Sequence, residues 1–319
     1  MKFDKIHSTT FPENEIPDLK EKIEIDNFKY YALDREVKEV DPSDIDLKVI
    51  GLWVKEISDY MKRLGVKKDL YIDQAQIHFI KDKSFFDDGR FFGFFDNERD
   101  NIYIDASLKK EFRLKTILHE MIHMFSFRSA MVEKAQFLKN KKIIEDYEIH
   151  WTRVGYDLGG DKFSSFNEAL TEGLAQEIFH KNLKQIRKRT RLNTRNIYDN
   201  KNQSYYFERT ILNILIDTLV KNNYSKDEVV ENFLRGLFGG NMFNLRMVQK
   251  VYGSGFLKIL ANPEFIFENS NFLTQDYYDL FSIADKIKRE DFIKNTLELR
   301  NPQRLKDKQY EIFTKMKIS

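Results

Sequence analysis

The chain has no cysteine among its 319 residues, which removes disulfide scaffolds, thiolate metal sites and cysteine nucleophiles together. Proline and glycine are scarce, at 5 and 13 residues, and so few turn formers favour helix over a turn-rich β architecture. An excess of one charge is also missing. The 53 Lys and Arg nearly cancel the 51 Asp and Glu, leaving a formal net charge of +2, which gives no reason to expect a polyanionic partner for the whole molecule. Long apolar runs are absent as well. The closest, Ile211 to Val220, is broken by Asn213 and Asp217 and is too short for a membrane span. Met1 to His7 has neither a continuous apolar segment nor a cleavage site of small residues, so a cytoplasmic protein without a membrane span is expected, with export by a signal-less route still compatible.

What the chain does have is apolar and aromatic mass. Hydrophobic residues make up 41%, with 28 Phe and 15 Tyr, enough for a substantial core in one large domain or two closely packed ones. Leu108 to Phe127 contains no Gly or Pro, and Leu114, Ile117, Leu118, Met121, Ile122 and Phe125 recur at helical spacing. Inside that predicted helix stands His119-Glu120-Met121-Ile122-His123. Residues four apart share a helix face, so both imidazoles project together and can hold one divalent cation, for which zinc suits nitrogen donors. Glu120, one step round the helix, is placed to take a proton from water activated by that metal.

Taken in order, residues 1–40 are polar and read as an N-terminal arm. A helix is expected from Ser43 or Asp44 to Gly65, with Ile50, Trp53, Val54, Ile57, Tyr60, Met61 and Leu64 on its apolar side. Leu70 to Ile72 and Ile77 to Ile80 look like strands. His78 lies in the second, where a lone histidine is more often structural than a ligand. Arg90 to Phe95 and Asn101 to Ile104 flank a turn-rich stretch and predict a β-hairpin leading into the metal helix, capped by Asp105 or Ser107. That order offers an edge strand beside the metal, to which an extended peptide could add its backbone. Met131 to Tyr147 reads as a charged helix, Arg153 to Asp161 as a loop or short hairpin, and Phe166 to Glu177 as a second helix with Glu168 and Glu172 on one face.

These residues resemble a known family. His119-Glu120-x-x-His123 followed by Asn167-Glu168-x-x-x-Glu172 is similar to the gluzincins, the zinc peptidases of thermolysin and neprilysin type, over roughly residues 70–180. The resemblance implies an α+β fold, a zincin-like catalytic part with a small sheet and edge strand beside the H-E-x-x-H helix. It implies one Zn2+ held by His119, His123 and Glu168, with Glu120 as general base and Glu172 supporting His119. Two departures stand out. The supporting acid is Glu rather than the commoner Asp, and Thr171-Glu172-Gly173-Leu174-Ala175 also resembles the E-G-x-A run of other zincins, in which that Glu is itself the ligand. Glu168 is favoured because both carboxylates then have a role, a metal-bound histidine usually needing an outer partner. For the hydrogen-bond donor that would steady the developing oxyanion, Tyr156, His150, Tyr205 and Tyr206 are candidates, and the sequence does not choose among them.

Lys181 to Arg195 carries seven Lys or Arg with no aromatic among them, so a solvated helix end fits better than a nucleic-acid surface. Tyr205 to Val220 predicts a buried helix, Ser225 to Glu228 opens another, and helical patterning continues through Val248, Tyr278 to Ile287 and Leu305 to Met316. The expected division is an arm over 1–40, a zincin-like catalytic domain over 41–199 and a helical C-terminal lobe over 200–319. The functional expectation is a zinc metallopeptidase acting on a peptide or protein. The alternatives are a peptide-binding regulator or scaffold, or a toxin-like effector, retaining the same fold.

Overall fold

The computed structural model describes residues 4–8, 13–18, 37–89, 91–97, 99–139, 142–158, 162–190, 205–253, 255–261 and 274–300. Its architecture is α+β. The predicted Leu305 to Met316 helix lies outside the described residues. Within residues 1–40, β1 (Lys5–His7) and β2 (Glu39–Val40) are each stitched into a sheet.

The first long helix, α1 (Asp44–Arg63), starts where Ser43 and Asp46 cap each other's backbone amides, and the chain turns out of it through Gly65 at φ 74°. The expected strand at Leu70 to Ile72 does not form; those residues have no regular structure. Then come β3 (Ile77–Ile80), β4 (Gly93–Asp96) and β5 (Asn101–Asp105). With β2 they make a four-stranded sheet in the order β2–β3–β5–β4, with β3 and β5 parallel and the outer strands antiparallel to them. Alternation sorts the side chains by face. Ile77, Phe79, Ile102 and Ile104 enter the main core, while Ile80, Phe94 and Tyr103 meet Phe85 and Phe86 on the other side. His78 stands on that second face, stacked on Tyr103 and 2.9 Å from Glu39 Oε1.

The helix α2 (Lys110–Phe125) follows β5. Neither Asp105 nor Ser107 caps it. Asp105 Oδ1 accepts from the Ser107 amide at 2.7 Å, closing a turn before the helix, which begins after Lys109 with no side-chain cap. A cap is dispensable here because α2 is pinned from the side. Trp53 Nε1 donates to the Leu114 carbonyl at 3.2 Å, and buried Asp46 pairs with Arg113 at 2.9 Å.

The charged helix expected at Met131 to Tyr147 is instead part of a hairpin, β6 (Arg128–Lys139) and β7 (Lys142–Val154), with β1 parallel to the base of β6. Charged residues satisfy helical and alternating patterns about equally, so periodicity there is a weak signal. Val132, Phe137, Ile143, Ile144 and Tyr147 favour strand, and antiparallel register runs from Arg128↔Val154 to Lys139↔Lys142.

The second helix of the motif is longer than the sequence suggests: α3 runs over Ser164–Thr190. It packs on α2, and its Lys181 and Glu177 bond to Glu56 and Tyr60 of α1. After residue 205 the described chain is helical, as α4 (Tyr206–Lys221), α5 (Lys226–Gly239), α6 (Arg246–Tyr252), α7 (Phe256–Ala261), α8 (Thr274–Ser282) and α9 (Lys286–Arg300). Among the described residues no helix is long and apolar enough to cross a membrane.

Candidate metal centre

The faces of α2 and α3 that meet carry the motif residues. His119, Glu120 and His123 leave the last turns of α2, all buried, and Glu168 leaves the first turns of α3 opposite them. The two imidazoles and the Glu168 carboxylate converge. His119 Nε2 and His123 Nε2 are 3.1 Å apart, and Glu168 oxygens lie 3.2 Å from each. At that distance either one ring carries a proton toward the other, or both lone pairs turn onto a shared cation. A tetrahedral zinc with bonds of ~2.0–2.2 Å would space its donors at roughly 3.3 Å. Two nitrogens and one carboxylate at the observed separations fit such an ion, and His119, His123 and Glu168 together could hold a metal.

Outer partners orient each imidazole. Glu172 Oε2 is 3.1 Å from Nδ1 of His119, on the ring edge opposite Nε2. A proton on Nδ1 donated to that carboxylate leaves Nε2 as a free donor, the tautomer a metal needs. Glu172 thus meets the far side of the ring and stands outside the converging set. The His123 Nδ1 faces the Asn167 side-chain amide at 3.4 Å, and Asn167 Oδ1 accepts from the Tyr156 backbone N–H at 2.9 Å.

Charge in the site is tightly coupled. Burial works against the His119 imidazolium, but hydrogen bonds to Glu168 and Glu172 and the charge of Glu120 outweigh it and push the group up to about 10. Burial also opposes ionisation of Glu168 and Glu172, yet the histidines, and Lys115 for Glu172, hold both below the usual carboxylate range. Glu120 goes the other way. Burial raises it, only partly countered by the two histidines and by a hydrogen bond from the Phe95 backbone amide on β4. A carboxyl raised in this way takes up a proton more readily than an exposed one.

His119, Glu120, His123 and Glu168 line a cleft of about 340 Å³ together with Phe91, Gly93, Phe94, Phe95, Asn97, Arg153, Val154, Asp157, Asn167 and Tyr205. Of the four oxyanion-donor candidates, Tyr205 reaches the cleft. Its ring stacks on His119 at 5.4 Å and 5° between planes, and its hydroxyl bonds to Glu168. Its backbone is left-handed at φ 57°, unusual for a bulky residue and a mark of local strain. Tyr156 is fully buried, its hydroxyl packed against Gly236 without a hydrogen bond among the described residues. Tyr206 is largely exposed at the start of α4. The His150 backbone lies in β7 opposite Met131, and its side chain is outside the described part.

Sequence reasoning did not single out Asn167 as a partner of His123, nor the Phe95 amide as a partner of Glu120. Asn167 precedes Glu168 directly, which was a usable signal; a backbone contact across the sheet edge leaves none. Comparison with known proteins found no similarity, since no protein-family model, curated protein or solved structure matches the chain.

Proposed function

We propose that the chain is a zinc-dependent peptidase of gluzincin type, with a zincin-like arrangement of β4, α2 and α3. The observation that carries the reading is the convergence of His119, His123 and Glu168 with Glu120 and the edge of β4 in one cleft. His119, His123 and Glu168 would hold the zinc. When bound, it supplies Lewis acidity that polarises a peptide carbonyl and lowers the pKa of water.

The remaining work falls to the chain's own groups. Glu120 accepts the proton of the attacking water on its carboxylate and passes it to the leaving amine. The Phe95 amide holds that carboxylate in place. Tyr205 would be the donor to the oxygen that gains charge, its ring fixed against His119 and its hydroxyl turning from Glu168 to that oxygen. Among the described residues β4 is the outermost strand of its sheet, and its edge lies over the cleft, where a substrate strand can align its backbone. Glu172 and Asn167 orient the imidazoles.

The test is cleavage of a diverse peptide mixture by the zinc-loaded chain, read as new termini by mass spectrometry. Cleavage that stops on chelation and returns with zinc is expected. A zinc-loaded chain that produces no new termini would overturn the reading.

A further inference from the structure

Beside the metal-holding groups stands a cation that the proposed reaction does not use. Lys115 lies one turn before His119 on the same side of α2, and its Nζ bonds to Glu172 Oε1. Gln176, one turn after Glu172 on α3, donates to the same oxygen at 2.8 Å. The other oxygen, Oε2, faces His119 Nδ1 at 3.1 Å. The Glu172 side chain is 2% exposed, so its hydrogen bonds are made with protein. Lys115 and Gln176 thus hold one end of a buried carboxylate and leave the other end to a single imidazole.

The charges point the same way. With a divalent cation bound and both histidines neutral, Glu120, Glu168 and Glu172 carry three negative charges against two positive ones. Buried charge is costly unless paired. Lys115 supplies the third positive charge, at the carboxylate the cation does not touch. Without it Glu172 would be a buried anion with one amide and one imidazole, free to turn about its last torsion. That turn weakens its acceptance from Nδ1, on which the orientation of His119 rests.

We infer that Lys115 is a positioning residue of the metal centre, fixing Glu172 so that Glu172 fixes His119. The inference rests on the metal reading above and adds to it a residue on the far side of the histidine. An ion pair serving only to join α2 to α3 would affect folding of the metal-free and metal-bound chain alike. A positioning pair affects metal affinity, through Glu172.

The experiment measures zinc affinity by competition with a chromophoric chelator for wild type, Lys115→Met, Lys115→Arg, Glu172→Gln and the Lys115→Met/Glu172→Gln double variant. Lys115→Gln replaces the Met variant if that one does not fold. Loss of the cation should lower affinity about tenfold, the lower end for an outer-shell partner. Arginine should restore most of it, and the double variant should bind no more weakly than Glu172→Gln alone. The downfield proton resonance of His119 Nδ1–H should move in Lys115→Met and return in Lys115→Arg. Wild-type affinity in Lys115→Met, or full additivity in the double variant, would overturn the inference while leaving the metal reading intact. A wild-type chain that takes up no zinc would overturn both.

Discussion

Glu120, Glu168 and Glu172 each meet a partner on another element, so single substitutions separate their roles. Glu168 converges with both Nε2 atoms whereas Glu172 meets the opposite edge of His119. Glu168→Ala should therefore abolish tight zinc binding, and Glu172→Ala should weaken it by about ten- to a hundredfold. Metal-binding isotherms would show the ranking, and the reverse order would make Glu172 the ligand. Protons give a second test. In the metal-free chain His119 stays protonated up to about 10, and a cation needs its Nε2 lone pair. Zinc uptake at pH 8 should release about one proton, and apparent affinity should climb with pH up to that value, near tenfold per unit. Calorimetry in buffers of different ionisation enthalpy reads this directly, and a heat independent of buffer would contradict it. At this scale the H-E-x-x-H histidines were legible because spacing alone puts them on one helix face, whereas Glu168 was reached through the resemblance of the Asn167-Glu168-x-x-x-Glu172 run, since spacing sets Glu172 on the same face. Tyr205 was not separable from Tyr156 and Tyr206, since what singles it out is a left-handed backbone and a stack on a distant ring.

The elements stand in fixed relation because a few close approaches permit nothing larger. Gly93 of β4 sits where an added Cβ would meet Thr116 Cγ2 at 2.8 Å and the Tyr103 carbonyl oxygen at 2.9 Å. Gly93→Ala should push the edge strand off α2 and disturb the Phe95–Glu120 bond, at about 1–3 kcal/mol of overpacking. The expected signature is a fall of at least tenfold in kcat/KM with zinc affinity nearly unchanged, and equal loss of both would place the damage in the helix instead. The pair between α1 and α2 is a stability element. Asp46→Ala leaves the Arg113 guanidinium buried without its carboxylate and removes the Ser43–Asp46 cap, for about 3–5 kcal/mol by chemical denaturation. Helices such as α1 and α4 could be read from apolar spacing and caps, and β3, β4 and β5 from their apolar runs. The β6–β7 hairpin could not, because its strength lies in pairing between two segments rather than in either one. The strands β1 and β2 are too short to carry a pattern.

Across the whole molecule, the group that could hold a metal lies between the first sheet-bearing part of the chain and α3, which runs on to meet α4 and α5. A ligand held between elements stabilises the fold by mass action, and zinc at a hundredfold over its Kd adds about 2.7 kcal/mol. The melting temperature should rise by roughly 5 °C with zinc and fall back on chelation. The central claim is that this centre hydrolyses peptides through Glu120. It is tested most directly by the cleavage rate of zinc-loaded wild type against Glu120→Gln, with zinc content measured on the same samples. Equal zinc in both and a rate lower by about a hundred- to ten-thousandfold in the variant is the predicted result. Equal zinc with equal rates would contradict it.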